Sequence, residues 1–306
     1  MDVMSNAVTQ KAGLSLGPLL FNWDDDKIRD FYFAIADEAP VDLVYLGEVV
    51  CAKRLAGRNY LPEVMERLER AGKKIILSGL MLVLDDRDMA ATEDMATMAE
   101  NYLIEANDLS LVSLLQGRDH AIGPFVNIYN EATLKYYQDR GAKRISLPPE
   151  LPAKSLKALA GVATSELEVQ VFGRLPLAIS ARCYHARAHK LHKDGCQYVC
   201  DQDPDGLTVD TMDGQQFLTI NGLQTLSYSY CNLMAELPEL EDMGIQNFRL
   251  SPHDVDMVKI SRIYRDRLDG KMDLAQANDA LETEMFATRF SNGYYHDVAG
   301  LEQVNS

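Results

Sequence analysis

A chain of 306 residues with 47% hydrophobic and 25% charged residues is composed like a globular protein, which excludes the disordered, collagen-like and coiled-coil classes. It is long enough to bury a core without disulfide staples, either as two domains or as one large α/β barrel. Thirty Lys and Arg against 46 Asp and Glu give a net charge of −16, a poor match to nucleic acid or to an anionic membrane surface.

Residues 1–12 read as a flexible polar tail ahead of a single barrel-type domain over 13–306. Leu14 to Phe21 is an apolar run that predicts a strand. Asp24, Asp25 and Asp26 open a helix, where carboxylates meet the positive end of the dipole, and Pro40 stops it. Val41 to Gly47 predicts a second strand. Leu61 to Ala71 is an amphipathic helix closed by Gly72. Lys74 to Leu84 is a third strand with its extension. Then come Asp88 to Ala106 as helix, Leu111 to Leu115 as strand, Pro124 to Tyr129 as strand and Glu131 to Arg140 as helix. Arg144 to Leu147 (strand), Pro152 to Ala160 (helix) and Leu167 to Phe172 (strand) follow. The alternation breaks over about 180–245, then resumes with a strand at Asn247 to Leu250 and a helix at Asp254 to Leu268.

About eight strands, most followed by a helix, predict a parallel sheet with right-handed crossovers. Eight such units fit a (β/α)8 TIM-like barrel with a cysteine-bearing insertion after the seventh strand. An open doubly wound sheet is the alternative, weakened because no G-x-G-x-x-G follows the first strand. The longest nearly apolar stretch, Ile75 to Leu84, falls short of the roughly twenty residues that span a bilayer. The opening MDVMSNAVTQ does not read as a signal peptide, so the expected compartment is the cytoplasm.

The chemistry lies in the break. Five cysteines in such a chain are expected to be reduced thiols. Cys183, Cys196 and Cys200 stand in C-x12-C-x3-C spacing, and Cys51 follows the second strand. Strand ends in a barrel of this kind share one rim, so the four can meet. Four thiolates suit tetrahedral zinc or an iron–sulfur cluster. Zinc sites usually come as two close pairs and only Cys196 and Cys200 make one, which tilts toward iron–sulfur; ordinary reduced cysteines are the third reading. Cys231, in YSYCNLM, sits in an apolar, helical-looking stretch.

Arg182, Arg187, Lys190 and Lys193, with His185, His189 and His192, form a basic island expected to lower thiol pKa values and offset an anionic centre. A solvated face and an anion dock are the alternatives. The three histidines at i, i+4 and i+7 share one helix face and offer a weaker metal site. Asp201, Asp203, Asp205 and Gly206 open like a calcium loop, but Met212 stands where the closing Glu belongs, so an Asp-rich turn is expected. His253 follows the last strand and should face the barrel mouth, as a pocket residue or an ordinary loop histidine. No G-x-S-x-G elbow is present, and no catalytic acid or base is assigned.

SLGPLLFNW, VYLGEVVCAKR, NGLQT, RLSPH and NGYY, with this cysteine set, resemble the ubiquinone-biosynthesis branch of the collagenase-like, U-type peptidase family. The resemblance runs from about Gly13 to Leu301. It implies a barrel-like fold and a 4Fe-4S cluster on Cys51, Cys183, Cys196 and Cys200, with Cys231 a free core thiol. It also implies a heterodimer with a homologous UbiU-type subunit and an accessory lipid-binding protein, serving oxygen-independent hydroxylation of an apolar quinone precursor. One departure matters. The peptidase relatives carry E-x-F-x-x-G-x-[LM]-C before S-G-R-C; here Gln170 stands where Phe is usual and Pro176 where the first Cys is usual. No nucleophile–base pair replaces that cysteine, so an active peptidase is not expected. A redox subunit is the first hypothesis. The second is a structural or interaction subunit whose metal site only stabilises the fold, with chemistry in the partner.

Overall fold

The computed structural model describes residues 11–55 and 58–305, so the expected tail lies outside the described residues except for Lys11 and Ala12. The chain alternates strand and helix from its start. Strands β1 (Gly13–Leu16), β2 (Leu43–Leu46), β3 (Lys74–Ser78), β4 (Leu103–Ala106), β5 (His120–Ile122), β6 (Ala142–Ser146) and β7 (Glu166–Ile179) pair in parallel, each with the next. Helices α1 (Asp25–Glu38), α2 (Leu61–Arg70), α3 (Asp86–Thr97), α4 (Leu109–Leu114), α5 (Glu131–Gln138) and α6 (Ala153–Ala160) connect them.

The insertion then supplies α7 (Tyr184–Ala188), β8 (Leu207–Asp210), β9 (Gln216–Asn221), β10 (Gln224–Asn232) and α8 (Leu237–Asp242). The eighth barrel strand, β11 (Asn247–Leu250), pairs with both β1 and β7 and closes a (β/α)8 barrel. Helices α9 (Met257–Leu268) and α10 (Leu274–Glu284) and the short β12 (Phe290–Ser291) finish the fold.

Local chemistry explains most boundaries. Asp24, Asp85, Asp108, Asn130, Asp256 and Asp273 cap the helices that follow them, each accepting from a backbone N–H of the first turn. Along the strands, side chains alternate between the helices and the lumen. Leu14, Leu16, Val44, Leu46, Ile104, Ile145, Phe248 and Leu250 join the apolar layer under the helices.

The lumen is instead polar at mid-height. Glu168 is 0% exposed and accepts from Ser15 Oγ at 2.6 Å, Tyr45 OH at 2.8 Å, Arg144 Nη2 at 2.8 Å and Arg249 Nε at 2.8 Å. Arg249 also donates to Glu105 at 2.6 Å and lies 3.9 Å over the Tyr45 ring. Several of these bonds join strands that are not neighbours, so the network ties the barrel across its width. Burial opposes ionisation of Glu168, but Arg249 and Arg144 hold its carboxyl well below the usual range.

Four expected elements differ. The helix over Asp88 to Ala106 ends near Thr97, and Leu103–Ala106 is β4. Leu111 to Leu115 is not a strand but part of α4, because the Asp108 cap starts a helix and a short apolar run has no period to tell the two apart. The strand placed at Pro124 to Tyr129 lies earlier, at β5; Pro124–Val126 is a 3-10 turn. Cys231 sits in strand β10, not a helix, with its thiol buried.

Glu168→Gln leaves two buried arginines short of a counter-charge and should cost about 3–5 kcal/mol, read from the urea midpoint. A depressed carboxyl pKa stabilises above its unfolded value and is lost on acidification. Wild-type stability should therefore fall below about pH 4, and the Gln variant should lack that component.

Candidate metal centre

The Cys51 loop is built by its neighbours. Gly47, at the end of β2, has φ +128°, and a Cβ there would lie 2.3 Å from the Ser78 carbonyl oxygen, so only glycine passes. The buried Glu48 carboxylate accepts from the N–H groups of Val50 at 2.8 Å and Cys51 at 3.0 Å. A 3-10 turn, Ala52–Leu55, then carries Arg54 inward.

The other three cysteines come from the insertion. Cys183 caps α7, its sulfur accepting from Ala186 N–H at 3.4 Å. Gln197 and Tyr198 adopt left-handed backbone, φ 51° and 56°, and turn the chain between Cys196 and Cys200. The Tyr198 hydroxyl donates to the Lys53 carbonyl at 3.2 Å, and the Lys53 ammonium donates to the Lys193 carbonyl. Those two bonds lace the insertion to the Cys51 loop.

The result is one cavity lined by Cys51, Cys183, Cys196 and Cys200 together with Lys53, Arg54, His185 and Lys193. None of the five cysteines is in a disulfide, and Cys231 does not line this cavity. The donor set is four sulfurs with no carboxylate among the lining residues, the soft set that selects zinc or iron–sulfur centres. Two buried polar atoms on the lining, Arg54 Nε and His185 Nδ1, have no hydrogen-bond partner. Four thiols on one cavity fit a soft metal centre by their chemistry, with no three of their sulfurs within 4.8 Å of one another.

The electrostatics differ from the sequence reading in one respect. Burial pushes the Cys51 and Cys183 thiols up rather than down. Arg182, Arg187 and Lys190 are exposed and do not line the cavity. Its cationic wall is Lys53, Arg54 and Lys193, and of these only Lys193 belongs to the basic island.

The histidines do not share a helix face, because α7 ends at Ala188 and Lys190 turns left-handed at φ 59°. His185 is buried and bonds Asp203 at 2.8 Å, and His189 stacks on it at 5.9 Å. His185, His189 and Asp203 bring donor atoms within 4.8 Å of one another, while His192 stands apart and exposed.

The Asp-rich turn does more than turn. Asp205 accepts from His253 Nδ1 at 2.7 Å, from Arg174 Nε at 3.1 Å and Nη2 at 2.9 Å, and from the Tyr230 hydroxyl. His253 Nε2 accepts from the Arg174 N–H at 2.9 Å, which assigns Nδ1 as the donor to Asp205. His253 is thus a buried structural partner at the barrel mouth. Burial pushes it below the usual imidazole range, against the pull of Asp205. Burial would raise the Asp205 carboxyl, but His253 and Arg174 hold it far below its usual value.

Sequence reasoning missed Arg54, Glu48 and this lock. Glu48 and Arg54 each lie three residues from Cys51, on either side, so the spacing was available as a signal; the partners of Asp205 are far away in sequence.

A family model described as peptidase family U32 matches residues 26–305. The 23S rRNA 5-hydroxycytidine C2501 synthase of Escherichia coli is 25% identical over 283 residues, covering 86% of this chain and 42% of that protein. The chain therefore spans less than half the length of that relative. Among solved structures, a U32 peptidase aligns with a TM-score of 0.46 at 9% identity, over 79% of this chain and 94% of its own. Dihydropteroate synthase from Thermus thermophilus aligns with a TM-score of 0.41 at 13% identity, over 86% of this chain and 94% of its own.

Asp205→Asn should destabilise the protein by about 3–5 kcal/mol, since it leaves the Arg174 guanidinium without its charge partner. Hydrogen exchange should rise first over 199–232. Unchanged exchange there would mean that the insertion is anchored some other way.

Proposed function

The chain belongs to peptidase family U32, and on that premise we propose that it is the iron–sulfur subunit, of the UbiV type, of an oxygen-independent hydroxylation system in ubiquinone biosynthesis. The observation that carries this reading is the meeting of Cys51, Cys183, Cys196 and Cys200 at one cavity with a buried guanidinium. When bound there, a 4Fe-4S cluster supplies one-electron transfer.

This chain's own residues do the holding. Glu48 fixes the Cys51 loop, Asp205 docks the insertion, and Lys53, Arg54 and Lys193 offset the charge of four thiolates. A homologous UbiU-type subunit completes a heterodimer, an accessory lipid-binding protein presents the apolar quinone precursor, and the compartment is the cytoplasm. Among the described residues no helix is long and apolar enough to cross a membrane.

Two further observations support the choice. The Escherichia coli relative is named as a synthase of a hydroxylated ring, which supports a hydroxylation role here, and the net charge of −16 argues against an RNA substrate for this chain. The insertion is also already anchored by Asp205 and laced by Tyr198, so it does not need a metal to pin it. That favours a redox role over a purely structural one. The departures at Gln170 and Pro176 argue against peptidase activity.

Cys196→Ser should yield a chain that melts within a few degrees of wild type and still co-purifies with the homologous subunit. It should be colourless and should not support hydroxylation. Joint loss of melting temperature and partner binding would favour the structural reading, and retained hydroxylation would contradict the redox role.

A further inference from the structure

Arg54 is buried, with 4% of its surface exposed, at a place where packing alone gives no reason for a guanidinium. Its Nη1 donates to the Leu20 carbonyl at 2.7 Å, and its Nη2 donates to Asn221 Oδ1 at 3.1 Å and to Cys200 Sγ at 3.5 Å. Nε has no partner. Glu48 approaches only to 3.6 Å and also faces Arg58 at 3.8 Å. The fork thus holds the loop after β1, the end of β9 and one of the four cysteines together, and its charge is only partly met by carboxylate. The backbone leaves room for it as well. Gly222 has φ +61°, and a Cβ there would sit 3.1 Å from Nη2 and 3.3 Å from Val50 Cγ1.

We propose that Arg54 is the positioning residue of the cysteine-held centre: it hydrogen-bonds the Cys200 sulfur, supplies the fixed counter-charge for four thiolates, and so raises the reduction potential and slows metal loss. This rests on the iron–sulfur reading above. A hydrogen bond and a positive charge at a ligating sulfur favour the reduced, more negative state. Lysine keeps the charge but loses the planar fork that reaches three segments at once.

The test uses the full chain purified without oxygen as wild type, Arg54→Lys and Arg54→Met, with melting temperature as the folding control. The readouts are iron and sulfide per chain, the rate of iron loss to a chelator, and the midpoint potential. Arg54→Met should lose iron at least tenfold faster. It should also shift the reduction equilibrium about tenfold toward the oxidised state, about 59 mV for one electron. Arg54→Lys should keep most of the potential but still lose iron faster. Folded variants with wild-type potential and wild-type iron loss would overturn the role of Arg54 while leaving the iron–sulfur reading intact. If Arg54→Met does not fold, wild-type values in Arg54→Lys overturn it alone. Wild-type protein without iron and sulfide would instead overturn the iron–sulfur reading, and the role of Arg54 with it.

Discussion

The carboxylate of Asp205 is where the insertion meets the barrel. One oxygen accepts a hydrogen bond from Nδ1 of His253, which follows the eighth barrel strand; the other accepts from Arg174, in the extended seventh strand, and from Tyr230, in the insertion's own strand β10. His253 in turn receives the Arg174 N–H. These bonds join the pairing of β10 on β7 in seating the insertion over the strand ends. Together with the Tyr198–Lys53 bond and the pairing of β10 on β7, they hold Cys183, Cys196 and Cys200 near Cys51.

The barrel presents that rim rigidly because its lumen is cross-linked by charge. Glu168 gathers contacts from β1, β2, β6 and β11, and Arg249 carries the connection on to Glu105 in β4. A buried network of this kind is weak evidence for stability by itself, since apolar packing often does as well. Its geometry is specific, though: each donor meets an acceptor on a strand that cannot slide without breaking the bond. The barrel thus holds one side of the cysteine-lined cavity and the Asp205 lock helps to hold the other.

Much of this was legible in the residues. The strand–helix alternation and the break after the seventh strand pointed to the barrel, and the spacing of Cys183, Cys196 and Cys200 marked them as a set with Cys51. The aspartates that open α1 read correctly because the pull of a helix N-terminus on a carboxylate is local. Short buried segments were harder. Leu109–Leu114 and His120–Ile122 are too short to carry a period, so the first reads as a strand and the second is missed in favour of the run that follows it. The histidine triplet misled for a related reason: a helical spacing is meaningful only while the helix lasts, and α7 is five residues long. The charge facing the thiols was misassigned because an island in sequence can point to solvent. Arg187 and Lys190 do, whereas Lys53 and Arg54 arrive from another loop. Asp205 was hidden because its partners lie 25 to 48 residues away.

The most direct measurement is the metal and sulfide content of the wild-type chain purified without oxygen, by elemental analysis and acid-labile sulfide assay. About four irons and four sulfides per chain, with no zinc, is the result the account predicts. One zinc and no sulfide would contradict it, leaving four cysteines around a structural ion.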